Sequence, residues 1–205
     1  MARDTSPIVK QSRREGYALH PKAHKIMAKR STIPGEHGHG RQRKLTGYAL
    51  QLREKQKVRR LYGLMEKQFS NLMKEANRSK GQSGQILLRL LEQRLDNAVY
   101  RAGFATSRRA SRQLVGHGHF MLNGRRVDIP SIRVSEGDVI TVREKSAKNE
   151  YFKEIADIHA TASQPQLSWL TSDVKKLKIT ITGLPQREES EPDINEQLIV
   201  EYYSR

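Results

Sequence analysis

Asn123-Gly124 constrains this chain more than any other pair of residues. A two-residue hairpin turn of type I′ needs positive φ at both central positions, and Asn-Gly accepts that geometry best. The dipeptide predicts antiparallel strands over 119–122 and 125–128, with Arg125 and Arg126 leaving the turn. Just before it, residues 107–116 read as a helix. Ser107 is a capping residue, and Ala110 and Leu114 form an apolar side. Arg108 and Arg112 lie four apart and share the opposite side, with Arg109 alongside. Such guanidinium groups, held on a capped helix and a tight hairpin, suit phosphates, because the planar fork donates two hydrogen bonds at once. The stretch 94–145 reads as a nucleic-acid docking surface.

Charge supports that reading. The chain of 205 residues holds 38 Lys+Arg against 22 Asp+Glu, a formal charge of +16, which predicts a polyanionic partner: RNA, DNA or an anionic membrane. Residues 1–60 carry 16 Lys/Arg and 4 Asp/Glu, a net of +12, whereas 186–205 carry 2 and 6, a net of −4. The acidic end reads as a protein contact or a solvated tail, through Glu196, Leu198 and Glu201. Only 36% of residues are hydrophobic, so the cores must be modest, in one domain or two small ones. No apolar run approaches the roughly 20 residues of a spanning helix, and the first ten residues lack the apolar centre of a secretory signal. The absence of cysteine excludes disulfides, Cys-ligated zinc and thiol catalysis. The composition therefore predicts a soluble cytoplasmic protein.

Periodicity supplies the rest of the layout. The first 45 residues are basic and interrupted by Pro7, Pro21 and Pro34, which predicts an arm ordered mainly by its partner, with at most a short helix at 12–19 capped by Ser12. Val58, Leu61, Tyr62, Met65, Phe69, Leu72, Met73 and Ala76 recur at helical spacing and predict one helix over 48–78. Its first turns carry Arg53, Lys55, Lys57, Arg59 and Arg60 with a single acid, Glu54, so that few intrahelical pairs can neutralise them; the face is expected to meet phosphate. A second helix is expected over 84–102, with Gly103 as its stop. DVITVR at 138–143 alternates β-branched residues and reads as a third strand. A helix over 147–163, strand-like runs after Trp169 and a C-terminal segment INEQLIVEYYSR complete the chain. The predicted class is α+β, a helical body with an inserted small α/β nucleic-acid-binding module. Its parts are a basic N-terminal arm (1–45), a body (46–93) rejoined by 165–205, and the nucleic-acid-binding module (94–164).

Several segments together resemble the bacterial small-subunit ribosomal protein S4 family: SRREG (12–16), PGEHG (34–38), LREKQKVRRLYG (52–63), RLDNAVYRAGF (94–104), SRQLVGHGHFMLNGRRVDIPS (111–131) and PDINEQLIVEYYS (192–204). The resemblance implies an S4-type RNA-binding domain, early binding to the 5′ domain of 16S ribosomal RNA, and a part in nucleating small-subunit assembly. It also implies ribosomal protein S5 as a neighbour, at an interface tied to decoding fidelity, and a position near the channel where messenger RNA enters the subunit. The expected RNA-binding set is Arg13, Arg14, Arg41, Arg43, Lys44, Arg53, Lys55, Lys57, Arg59, Arg60, Ser107, Arg108, Arg109, Arg112, Gln113, His117, Asn123, Arg125 and Arg126. Many relatives carry four metal-holding cysteines near the N-terminus. Here that region has none, and no metal or other cofactor is expected.

Other function classes fare worse. Arg94-Leu95-Asp96 is similar to the segment around the catalytic aspartate of pseudouridine synthases, but the remaining chain is too small and too basic to supply a catalytic domain. No Gly-rich phosphate loop, nucleophile elbow or carboxylate pair appears, so the chain reads as non-catalytic. His37 and His39 with Glu36, and His117 with His119, lack the three or four ligands a metal needs. A stand-alone factor of the S4-domain kind would usually be short and lack the first 90 residues.

Overall fold

The computed structural model describes residues 4–40, 44–155 and 167–204. It separates into two units: residues 1–87 with 193–205, and residues 88–192.

The first unit is helical. α1 (Ile8–Glu15) starts after Pro7 and ends at Gly16, whose φ of 65° is left-handed. α2 (Pro21–Lys29) has Pro at its first position, where the missing N–H costs nothing, and the His20 side chain accepts a hydrogen bond from the Lys22 amide. The arm is thus two packed helices, α1 on α2, and the expected start at Ser12 lies too late by four residues. Ser12 is instead buried, its hydroxyl donating to the Ile8 carbonyl.

The single helix predicted over 48–78 is two, α3 (Gly47–Leu61) and α4 (Glu66–Arg78). Gly63, at φ 65°, is the reason. The Leu64 amide reaches back to the Arg59 carbonyl and the Gly63 amide to the Arg60 carbonyl, closing α3 with a Schellman turn that the apolar period cannot reveal. Val58, Leu61, Tyr62, Phe69, Met73 and Ala76 are buried as the stripe requires, but Leu72 is half-buried and Met65, which precedes the first residue of α4 once the helix is broken, is exposed. The C-terminal helix α10 (Glu196–Tyr203) packs along α3 and buries Ile199.

The second unit holds the sheet. α5 (Ser83–Glu92) and α6 (Leu95–Arg101) replace the one helix predicted over 84–102. Residues 130–134 run beside the break: Leu95 and Asp96 amides donate to the Ile132 and Pro130 carbonyls, and the Val134 amide donates to Gln93. α7 (Arg108–Gly116) leads into β1 (Phe120–Leu122) and β2 (Arg125–Val127), joined through Asn123 and Gly124 at φ 48° and 79° as a type I′ turn requires. β3 (Val139–Val142), β4 (Leu170–Asp173) and β5 (Lys178–Ile181) extend an antiparallel sheet of order β2-β1-β3-β5-β4. Residues α8 (Glu144–Ala147) and α9 (Glu150–Lys153) are single helical turns where a helix over 147–163 was expected; 156–163 lie outside the described residues.

Phe120, Ile140, Val142, Ile179 and Ile181 share one core with Leu95, Val99, Phe104, Val115 and Trp169. That sharing moves a boundary. Residues 167–192 belong with the sheet, because Ile179 pairs directly with Ile140, and only 193–205 return to the helical unit. The class is α+β.

Candidate nucleic-acid interface

The Ser107 hydroxyl accepts from the Ala110 amide at 3.2 Å and caps α7. The buried side of α7 is not Ala110 and Leu114, which are half-buried, but Ser111 and Val115. The Ser111 hydroxyl donates to the Asp96 carbonyl, so a polar residue occupies the seam with α6. This rotation changes what the arginines do. Arg108 donates to Asn97 Oδ1 at 2.9 Å and Glu191 Oε1 at 2.7 Å, with its guanidinium 4.6 Å from the Tyr100 ring centre. Arg112 reaches Asp96 Oδ2 at 3.4 Å. The two residues expected to grip phosphate are thereby tied into an internal network.

That network is extensive. Arg94 meets Asp96 through two hydrogen bonds of 3.0 and 2.8 Å, and Arg101 meets Glu92 through two of 2.9 and 2.8 Å. Asp96 is 5% exposed and fully engaged, which leaves it no catalytic part. Burial alone would raise the Glu191 carboxyl, but Arg108 and Arg101 outweigh it and hold the group below its ordinary value. A depressed folded value contributes stability above the unfolded value, about 4.3 for glutamate, and loses it as pH falls through the folded value. Unfolding free energies of wild type and Glu191→Gln should therefore differ at neutral pH and converge below about pH 4. Parallel curves throughout would show that the carboxylate contributes nothing by its charge.

What remains outward on α7 is Arg109, Gln113 and His117, all exposed. Arg125 and Arg126 are exposed on β2. Gly118 joins the two elements: a Cβ there would lie 2.8 Å from Nε and Nη2 of Arg126, so the guanidinium lies against the turn after α7, beside His117. Arg143 Nη1 donates to the Gly118 carbonyl at 3.1 Å from the other strand, a basic residue the sequence pattern did not single out. His119, by contrast, faces inward, with Nδ1 3.0 Å from the Ser146 hydroxyl and its ring edge-on to Phe152. Burial, then His117 and Arg143, lower its pKa and keep it neutral at pH 7. Asn123 is exposed, but its side chain donates to Asp138 and accepts from the Val139 amide, so it braces the turn.

In the helical unit most α3 cations meet carboxylates that lie outside α3, and Lys57 alone pairs with one on its own helix. Arg53 and Arg60 both reach Glu15 of α1. Lys55 is 3% exposed, 2.8 Å from Glu66 Oε1 and 4.7 Å from the Tyr202 ring centre; it is removed from the RNA-binding set by burial. Lys57 pairs with Glu54 and donates to the Asp193 carbonyl, and Arg59 holds Gln56, the Leu64 carbonyl and Glu66. Arg13 braces Thr32 through its carbonyl and hydroxyl. Arg14 and Lys44 are exposed, while Arg41 and Arg43 lie outside the described residues. Most exposed of all is α2, where Lys22, Lys25 and Lys29 project without an acid on the helix. Pro21 followed by lysines at spacings of three and four was the available signal.

The acidic tail docks on its own unit. Glu196 packs so close to Gly84 that a Cβ there would lie 2.7 Å from Glu196 Cγ. Glu201 is exposed and accepts from Gln51 at 2.9 Å, Tyr203 donates to Glu66 at 2.9 Å, and Leu198 is half-buried. Among the described residues no three His, Asp or Glu side chains gather as metal ligands, and no helix is long and apolar enough to cross a membrane.

Comparison with known proteins matches the whole chain. A family model described as the ribosomal protein S4/S9 N-terminal domain covers residues 3–92, and one described as the S4 domain covers 93–140. The chain is 49% identical over 211 residues to small ribosomal subunit protein uS4A of Symbiobacterium thermophilum. It is 48% identical over 206 residues to uS4 of Chloroflexus aurantiacus and 49% over 205 to uS4 of Chlorobium phaeovibrioides. In each case both chains are covered completely.

Proposed function

The chain belongs to the ribosomal protein S4 family of the small ribosomal subunit, and from that membership we propose that it is a primary 16S ribosomal RNA-binding protein that nucleates assembly of the 5′ domain. It works in the cytoplasm, within the small subunit, and is not an enzyme. The observation that carries the reading is that exposed cations stand on three short rigid elements, α2, α7 and β2, while the internal arginines are already matched by carboxylates. Cations fixed on rigid elements hold phosphates by position and charge, without reading base sequence. Arg41, Arg43 and Lys44 serve as an electrostatic guide for messenger RNA where it enters the subunit, holding its backbone without reading sequence. The C-terminal helix, through exposed Glu201 and half-buried Leu198, meets ribosomal protein S5 at the interface tied to fidelity.

Chemical footprinting on protein-free 16S ribosomal RNA tests the core of this. The wild-type chain should protect nucleotides where helices of the 5′ domain join, and Arg109→Ala with Arg126→Ala should remove part of that protection. A uniform pattern identical to free RNA would count against primary binding.

A further inference from the structure

Glu15 is the least accessible charged side chain of the helical unit's ion pairs, with a side-chain exposure of 0%, yet it stands among cations. Its Oε1 accepts from Nη1 of Arg53 at 3.2 Å and from Nη1 of Arg60 as well. Arg53 and Arg60 are seven residues apart and so share one face of α3. Their side chains remain 33% and 20% exposed, so both reach the surface while Nη1 of each is held by the carboxylate. Arg14, exposed on α1, and Arg59 on α3 add charge around the same carboxylate.

We infer that Glu15 is a positioning residue for RNA, anchoring Arg53 and Arg60 from below so that their outer edges form a ready-made receptor for a phosphodiester. The inference rests on the RNA-binding function proposed above. A carboxylate inside a phosphate-binding cluster weakens net attraction, so its presence needs another physical reason. Stability does not supply one. Burial pushes the Glu15 carboxyl up, further than Arg53 and Arg60 pull it down, and burial likewise lowers Arg60. A raised folded value contributes stability in the protonated form and loses it as pH rises through that value, so the fold does not favour the ionised carboxyl. Glu15 Oε2 and Arg60 Nε also lack hydrogen-bond partners among the described residues. What the arrangement gains is order. Two long side chains are fixed before the ligand arrives, which removes their ordering cost from the binding step.

The charge change and the positioning loss act in opposite directions, which makes the test decisive. Full-length wild type, E15Q, R53K and E15Q/R53K would be titrated by filter binding against a transcript of the 16S 5′ domain across a salt series. E15Q removes one negative charge, so charge alone predicts equal or tighter binding and a steeper salt slope. Positioning predicts about tenfold weaker binding, the loss of a charged hydrogen-bonded contact. R53K keeps the charge but not the fork, and should weaken wild type by a similar factor while adding little in the E15Q background. Thermal unfolding reports whether E15Q folds; where it does not, R53K in the wild-type chain decides alone. Equal or tighter binding by folded E15Q, or unchanged binding by R53K, would overturn the inference. Failure of the wild-type chain to bind the transcript in a salt-dependent way would overturn the RNA-binding function itself, and this inference with it.

Discussion

Replacing Glu92 with alanine is expected to destabilise the sheet-bearing unit by about 3–5 kcal/mol, the range for removing one partner of a buried ion pair. Glu92 is 1% exposed and takes two hydrogen bonds from Arg101, which is 7% exposed, and one from Asn97. Without it the Arg101 guanidinium keeps Glu191 at 3.5 Å, which places the effect toward the lower end of that range. Arg108 shares Asn97 and Glu191 with this cluster, so the disturbance reaches the first turn of α7. Denaturant titration would read it as a lower midpoint at unchanged slope. A shift smaller than about 1 kcal/mol, within the range of exposed ion pairs, would show the network to be solvated rather than buried.

Replacing Lys22, Lys25 and Lys29 together with alanine should have the largest effect on RNA. All three are exposed, and Ala23 is the buried residue of α2, so the helix keeps its packing. Alanine is also the stronger helix former. If each lysine neutralises one phosphate, the slope of log affinity against log salt should fall by about 2–3, at roughly 0.7–0.9 per contact. Affinity near physiological salt should fall tenfold or more. An unchanged slope in filter-binding titrations would remove α2 from the interface and leave the RNA contacts to α3, α7 and β2.

The two experiments separate two kinds of basic residue that look identical in the sequence. Arg108 and Arg112 have the spacing of a phosphate-facing pair, and Lys57 and Arg59 stand in a run with the density of one. Each finds a carboxylate or carbonyl elsewhere in its own unit: Glu191, Asp96, Asp193 and Glu66. Some of these partners are 16 to 136 residues away in the chain, beyond the reach of any local pattern.

Local chemistry by itself determined the elements whose cause is local. Asn123-Gly124 sets the hairpin because few dipeptides accept two positive φ angles, and Ser107 caps α7 because its hydroxyl can reach the Ala110 amide. The α+β class, the apolar stripe of α3 and α4, and a strongly cationic chain suited to RNA were legible for the same reason. Tertiary structure alone decided the break at 93–96, where the Leu95 and Asp96 amides donate to the Ile132 and Pro130 carbonyls; the break at Gly63 is local, closed onto carbonyls of the last turn of α3, and an apolar period does not register it. It alone decided that residues 167–192 join the sheet, because antiparallel pairing of Ile179 with Ile140 is a long-range contact. It also decided which cations stay at the surface. An isolated sequence counts charges, but burial and a carboxylate from a distant helix determine which of them a phosphate can reach.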